Sequence, residues 1–468
     1  MKKRIAVLPT AFLVLGTCFC TCGLAQKTKT ISKKQLEVWV NQLSNGSFRE
    51  RRTAANNLTK AGQQALPALV KGTQEKDSEL STRCFEVIVK MYRGKNDTLH
   101  YSAKKALREL EKSSKRAIAQ KAKIAANDIY LIKNIKKIGA RVTFDKSGHI
   151  KSVNLTKTKV TDADLSLLKR MTNLQSLNLI DTQITDAGLV HLRKLTRLQS
   201  LALSGSKITD GGLAQLKYMT GLRTLYIGGK NITGASLAHL EGMKSLNSLS
   251  LGGLQLTDAA LVHLKGLTNL QSLSLFKTKI TDAGLVNLKA MTGLQYLDLN
   301  NTMVTDAGLV SLKGMIKLIF LNLNNTKVAD AGLVHLKAMT ELWSLYLQNT
   351  KVSDAGLVHL KGMTNLHELL LDRTKVTDAG LVNLKELTSL EWLFLRHTKV
   401  ANAGLVHLKG MVLLYNLDLS DTKVTDAGLV HLKWMTRPVI LNLSNTNVTD
   451  AGANDLRADA PNISIIRK

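Results

Sequence analysis

The chain has 468 residues, 44% of them hydrophobic but only 4% aromatic, with 4 prolines and 32 glycines. Such a composition excludes a disordered or collagen-like chain and calls for an aliphatic, chiefly leucine core. The formal charge of +30 bears on solubility and anionic partners and leaves the fold open.

Residues 1–25 read as an export signal: the basic MKKR, the apolar run IAVLPTAFLVLGTCF and a small-residue cleavage site at GLA, Gly23 to Ala25. An uncleaved anchor is the alternative, since Ile5 to Ala25 is nearly long enough to span a bilayer. Lipid attachment at Cys18 is a further one, weakened by Thr17 where a smaller residue is the rule. The protein is therefore expected outside the cytoplasm: periplasmic, extracellular or associated with an envelope. Beyond residue 25 a single cysteine, Cys84, remains. It cannot form an internal disulfide, and Phe85, Val87 and Ile88 beside it read as packing.

Residues 26–139 form a basic helical module. Leu36, Trp39, Val40 and Leu43 make one apolar stripe at helical spacing. Asn45 to Ser47 breaks that helix, and Ser47 caps the next. Two short amphipathic helices separated by Gly62 follow, then one over Ser78 to Tyr92 and a lysine-rich helix from about Thr98. Between Lys27 and His149, 27 basic residues face 11 acidic ones, a net of +16. That charge suits an anionic envelope polymer or a lipid surface. Nucleic acid is disfavoured, because no aromatics interleave with the lysines. Residues 140–155 read as a hairpin turning at DKSG and leading into a repeat array.

From Ile150 the sequence repeats every 24 residues without a slip, giving thirteen registers that start between Ile150 and Pro438. Each opens LxxLxL, as in LQSLNL from Leu174 and LQSLAL from Leu198. The array spans 150–461, and residues 462–468 supply a closing strand. Threonine stands three positions after the last leucine in ten of thirteen registers, Thr158 and Thr182 among them. A hydroxyl there can satisfy backbone groups at a tight turn. Lys230 and Leu254 break the rule, so a changed curvature or looser segment is expected in the fourth and fifth registers.

These motifs resemble the bacterial exported leucine-rich-repeat proteins with TDAGL-type repeats, and more distantly the cysteine-containing repeats of F-box proteins. The helices around AGQQALPALVKG resemble a HEAT-like unit. The resemblance implies an α/β solenoid: a leucine-rich-repeat horseshoe with a parallel concave sheet and short convex helices, preceded by a small all-α module.

The repeated TDAGLVHLK, Thr425 to Lys433, offers an acid, an imidazole and an ammonium. Asp426 has equivalents in eleven of thirteen registers, which suits a carboxylate capping the start of its own helix. His431 alternates with Gln215, Ser311 and Leu167 at equivalent positions, as a solvated position tolerates and a metal ligand does not. Lys433 belongs to a solvated stripe near the helix ends. No zinc helix, phosphate loop, GxSxG or EF-hand spacing is present, so no catalytic, metal or cofactor site is expected and the chain reads as a non-enzyme.

Function is expected on the outward strand positions. Early strands carry Ser176, Ser200, Ala202 and Ser248. Later ones carry Phe276, Tyr296, Asp298, Phe320, Asn322, Tyr346, Leu370, Asp372, Trp392, Phe394 and Arg396, a surface suited to a protein or polysaccharide ligand. The expectation is an exported, monomeric, non-catalytic binding protein. The alternatives are a structural envelope component tethered by the basic module, and an adaptor similar to F-box proteins in protein degradation, for which no F-box-like motif is present.

Overall fold

The computed structural model describes residues 30–94, 96–145 and 149–467. The expected export signal with Cys18, part of the DKSG turn and Lys468 lie outside them. The described chain divides into two compact units, the first ending at Ala122 and the second starting at Lys123.

The first unit is built of helices α1 (Lys33–Asn41), α2 (Phe48–Ala61), α3 (Leu66–Gly72), α4 (Ser78–Arg93), α5 (Asp97–Leu110) and the start of α6 (Arg116–Lys137). Polar residues open them: Ser32 accepts from the Gln35 amide, Ser47 from Glu50 and Asp77 from Glu79 and Leu80, the usual way of satisfying free helix amides. The lysine-rich segment is two helices rather than one. The Ser113 hydroxyl accepts from the Lys115 amide between them, a local bond that competes with continuing the helix. Leu58, Leu69, Ile88 and Leu107 are fully buried, as is Cys84. A Cβ on Gly72 would lie 2.5 Å from Cys84 Sγ, so glycine there lets α3 and α4 approach closely. No described helix is long and apolar enough to cross a membrane.

The second unit is one 15-stranded sheet in sequence order. Strand β1 (Arg141–Phe144) pairs antiparallel with β2 (Ile150–Asn154). Parallel three-residue strands then recur every 24 residues from β3 (Ser176–Asn178) to β13 (Asn416–Asp418), followed by β14 (Val439–Asn442) and β15 (Ile463–Ile466). The two leucines of each LxL point inward, and Leu177, Leu273, Leu321 and Leu369 are at most 1% exposed. No repeat could bury them alone, so the core exists only as a stack.

After each strand the chain reverses through a left-handed residue, such as Asn301 (φ 55°), Asn325 (φ 55°) or His397 (φ 54°), with Gly205 and Gly253 serving in two early turns. The following threonine locks this turn. Thr158, Thr278, Thr326 and Thr422 each donate a hydroxyl to the carbonyl three residues back, at 2.6 to 2.7 Å. In the fourth and fifth registers the helical segments Gly234–Leu240 and Asp258–Leu264 are wound wholly as 3-10 helix, while the strands keep their register. Thr224 to Tyr226 pairs with Ser248 to Ser250, and those with Ser272 to Ser274, without a shift. Leu254 is fully buried in place of threonine, and the Phe276 ring covers Gly252 so closely that a Cβ there would overlap it.

The repeated aspartate does not cap its own helix. Its side chain reaches 23 residues forward to the next repeat. Asp258 Oδ1 accepts from the Thr281 amide (2.8 Å) and Oδ2 from its hydroxyl (2.6 Å); Asp282 and Thr305 repeat this geometry. Eleven of twelve junctions carry the amide bond, at 2.6 to 2.9 Å, with Asn402 standing in at one. The physical reason is crowding: the carboxylate fills the space above the third residue of the next helix. A Cβ on Gly284, Gly308 or Gly332 would lie under 3.0 Å from it. Ser236 is the exception, keeping its Cβ beside Asp210 in a seven-residue segment (Gly234–Leu240) wound entirely as 3-10 helix. Only the Gly234 junction lacks a side-chain acceptor, and there Ala260 replaces glycine in the following helix, its Cβ 2.6 Å from where a Gly234 Cβ would stand.

The ends close the series. The first helix has no preceding repeat, and its own Asp164, in the glycine position, takes the Thr161 amide (2.9 Å) and hydroxyl (2.8 Å). The last aspartate, Asp450, has no following repeat and meets Arg467 beyond the closing strand at 2.6 Å.

Candidate functional site

Outward strand residues fall into columns, because parallel strands in register place equivalent residues about 4.8 Å apart. Along these columns the surface changes character. In β8 (Tyr296–Asp298) and β9 (Phe320–Asn322), Tyr296 stacks on Phe320 with ring centroids 4.3 Å apart and planes 4° from parallel. Tyr346, in β10 (Ser344–Tyr346), meets Phe320 edge-on at 5.0 Å. Its hydroxyl donates to Glu368 Oε2 at 2.6 Å, and the Ser344 hydroxyl donates to the same oxygen at 2.9 Å. Burial, then the Glu368 carboxylate, push the Tyr346 phenol well above its ordinary range, so it stays a donor. Further on, Trp392 lies 6.1 Å from Phe394 and 6.0 Å from Tyr415.

The expected binding residues are not equally presented. Trp392 and Arg396 are exposed, whereas Phe276, Tyr296, Phe320, Tyr346, Leu370, Asp372 and Phe394 are half-buried. Asp298 and Asn322 are each only 9% exposed. Their Oδ1 atoms accept from the amides two residues on, Asn300 and Asn324, both at 3.0 Å, so they build the turn. Burial raises the carboxyl pKa of Asp298 and of Asp372. Asp372 accepts from Gln348 and from the Arg396 amide (2.9 Å). The Arg396 guanidinium is itself occupied by Asp421 at 3.0 Å.

A second column, just before the strands, escaped the sequence reading. Gln175, Gln199, Gln271 and Gln295 hold it early; Ile319, Trp343, His367 and Tyr415 hold it later. Backbone bonds of Trp343 to Ile319 (2.9 Å) and His367 to Trp343 (2.8 Å) make them consecutive rungs. The Trp343 and His367 rings stack at 3.6 Å and 5°, and Trp343 and Tyr415 are each 46% exposed. The switch from amide to aromatic at one repeat position was the available signal. Together the two columns give a surface of aromatic rings with Glu368, Asp372 and Asp418 set among them.

The other repeated groups are structural. The histidine position is half-buried rather than solvated, and the preceding valine is the exposed residue: Val286 61%, Val358 53% and Val430 53%. The segment Val430–Leu432 is 3-10 helix, and three residues per turn put Leu429 and Leu432 on one side and the valine outward. Lys433 is not simply solvated, since it pairs with Asp459 at 2.6 Å, a bond that raises its pKa. Among the described residues no group of three or more His, Cys, Asp and Glu side chains is placed to hold a metal ion. Burial pushes the Cys84 thiol up to about 12, so it is a packed thiol and not a thiolate nucleophile.

A leucine-rich-repeat family profile matches residues 170–192 and 266–289, two of the units whose strand, left-handed turn and short helix are described above. The array is a leucine-rich-repeat solenoid. It is similar to the crystal structure of an internalin from Listeria monocytogenes, with 24% identity, a TM-score of 0.58, and 72% of this chain and 94% of that one covered. A leucine-rich-repeat protein of Leptospira interrogans is 17% identical over 64% of this chain and 91% of its own, with a TM-score of 0.39. No curated protein matches the chain. In such a solenoid the parallel sheet lines the concave side and the short helices the convex side, so both columns face inward.

Proposed function

We propose that the protein is an exported, non-catalytic scaffold that captures a protein partner on the concave face between β8 and β13. One observation carries this reading: the run of touching rings Tyr296, Phe320 and Tyr346, continued by exposed Trp343, Trp392 and Tyr415. Rings held in place by their neighbours lose little entropy on binding, and clustered Trp and Tyr among polar groups are the usual composition of interface hot spots. Six consecutive strands span roughly 25 Å, the scale of a protein contact. Export rests on the composition of residues 1–25.

The test is capture of partners from an extract of the source cell's surface by the wild type and by a Tyr346→Ala/Trp392→Ala/Phe394→Ala variant. Loss of the captured protein with the variant supports the reading. Undiminished capture, or capture of polysaccharide alone, overturns it.

A second reading, a structural component tethered by the helical unit, is favoured by Phe48 and Tyr101, which are 70% and 72% exposed on that unit. It predicts loss of surface retention on deleting residues 27–137 with partner capture intact.

A further inference from the structure

The early half of the array holds a feature of opposite character. An open trough of about 880 Å³ lies before the strands of the second to fifth repeats, lined by Gln175, Gln199, Asn247, Arg197, Arg223 and Lys244 among others. No acidic side chain lines it and no aromatic one enters it. Gly221 also lines it, and a Cβ there would come within 3.2 Å of the Thr196 carbonyl. Arg197, Arg223 and Lys244 are exposed, one cation just before each of three successive strands, those starting at Ser200, Thr224 and Ser248.

The lining is periodic. The Gln199 amide bonds the Gln175 carbonyl, Arg223 bonds Gln199 and Asn247 bonds Arg223, each at 2.8 Å. These four side chains are therefore consecutive rungs about 4.8 Å apart. A ligand matching them repeats hydrogen-bonding groups at that interval and carries negative charge. It also brings little apolar surface, since the lining is mostly polar. An extended peptide advances only about 3.4 Å per residue and drifts out of step within two or three rungs. One hexose of an extended oligosaccharide spans close to one rung.

We propose that this trough binds an acidic oligosaccharide laid across the strands of the second to fifth repeats. Its carboxylates or sulfates meet Arg197, Arg223 and Lys244, and its hydroxyls meet the carboxamides of Gln175, Gln199 and Asn247. Guanidinium groups suit both anions through paired N–H donors, and carboxamides can donate to and accept from a sugar hydroxyl. The site is separate from the aromatic surface and does not depend on it.

The experiment is titration calorimetry of the purified protein with hexameric oligogalacturonate, a sulfated neutral hexasaccharide, the methyl-esterified galacturonate and hexaglutamate. The uronate or the sulfated chain is expected to bind, and which of them binds identifies the anion. The esterified chain and hexaglutamate are expected to bind at least about tenfold more weakly, the loss of one charge-assisted contact or more. Arg197→Gln/Arg223→Gln/Lys244→Gln should reduce binding by about tenfold or more. Lys289→Gln/Lys313→Gln/Lys337→Gln, which removes the same charge from the helix side, should leave it unchanged and so controls for the net charge. Three results overturn the proposal: no binding of either acidic sugar, equal weakening by the two triple variants, or hexaglutamate binding as tightly as the sugars.

Discussion

The carboxylate link between repeats can be tested where the sequence itself has removed it. At the Gly234 junction the carboxylate is gone, and Ala260 fills the space that glycine leaves empty in most later repeats. Gly234→Asp alone must force a side chain against the Ala260 methyl, which would sit 2.6 Å from the new Cβ, an overpacking cost of about 1–3 kcal/mol. Ala260→Gly alone costs about 1 kcal/mol of helix propensity. The double variant recreates the geometry of Asp258 with Thr281, in which one carboxylate takes an amide at 2.8 Å and a hydroxyl at 2.6 Å. Two bonds to a charged acceptor offset the glycine cost and leave a net gain of about 1 kcal/mol. The two changes should thus couple by about 3–5 kcal/mol, far outside additivity. A long array does not unfold in two states, so the assay is native-state hydrogen exchange of the Leu249 and Leu273 amides, which reports local opening. If the single effects simply sum to that of the double variant, the forward carboxylate link is not what holds neighbouring repeats together.

Other outcomes follow from the same geometry. Thr326→Val removes the hydroxyl that donates to the Leu323 carbonyl and should destabilise its repeat by about 1 kcal/mol, read by the same exchange experiment. The carboxyls of Asp298 and Asp372 are raised in the fold by burial, so their contribution to stability grows as pH falls from the folded value toward the unfolded one. Asp372→Asn should flatten that part of a denaturation-against-pH profile. Asp426 has the opposite sign: its bonds from the Thr449 hydroxyl and amide hold its pKa down. Its stabilisation is full above the ordinary carboxylate range and is lost as pH falls through the folded value, a loss that Asp426→Asn should abolish. With its thiol pushed up to about 12 and fully buried, Cys84 should resist a thiol-disulfide reagent at pH 8 in the folded chain and react at once in guanidinium.

The solenoid was legible because a 24-residue period with LxxLxL at every start leaves each leucine pair only a neighbouring repeat to pack against. The threonine turn was legible for a similar reason, since a hydroxyl recurring at one distance from the strand implies a recurring backbone acceptor. Asp426 was misread because a carboxylate beside a helix start has a local explanation, its own helix, while its actual partner lies 23 residues on. The paired exception at Gly234 and Ala260 was the trace of that partner in the sequence. His431 is half-buried rather than solvated because a segment wound with three residues per turn turns Val430 outward instead. On the sheet face, period-2 alternation named the outward residues but not their presentation. Asp298 and Asn322 turn their side-chain Oδ1 atoms down to amides two residues on, and Trp343 and His367 lie one position before the strand that alternation describes.

The central claim is that a partner lies on the aromatic concave surface of the later repeats. A photo-crosslinking residue placed at Trp392, and in a separate variant at Val310 on the helix side, tests it directly in the presence of cell-surface extract. The account predicts a discrete protein adduct from position 392, suppressed by the added substitution Tyr346→Ala, and none from position 310. An adduct from position 310 alone, or adducts from both positions that Tyr346→Ala leaves unchanged, would contradict it.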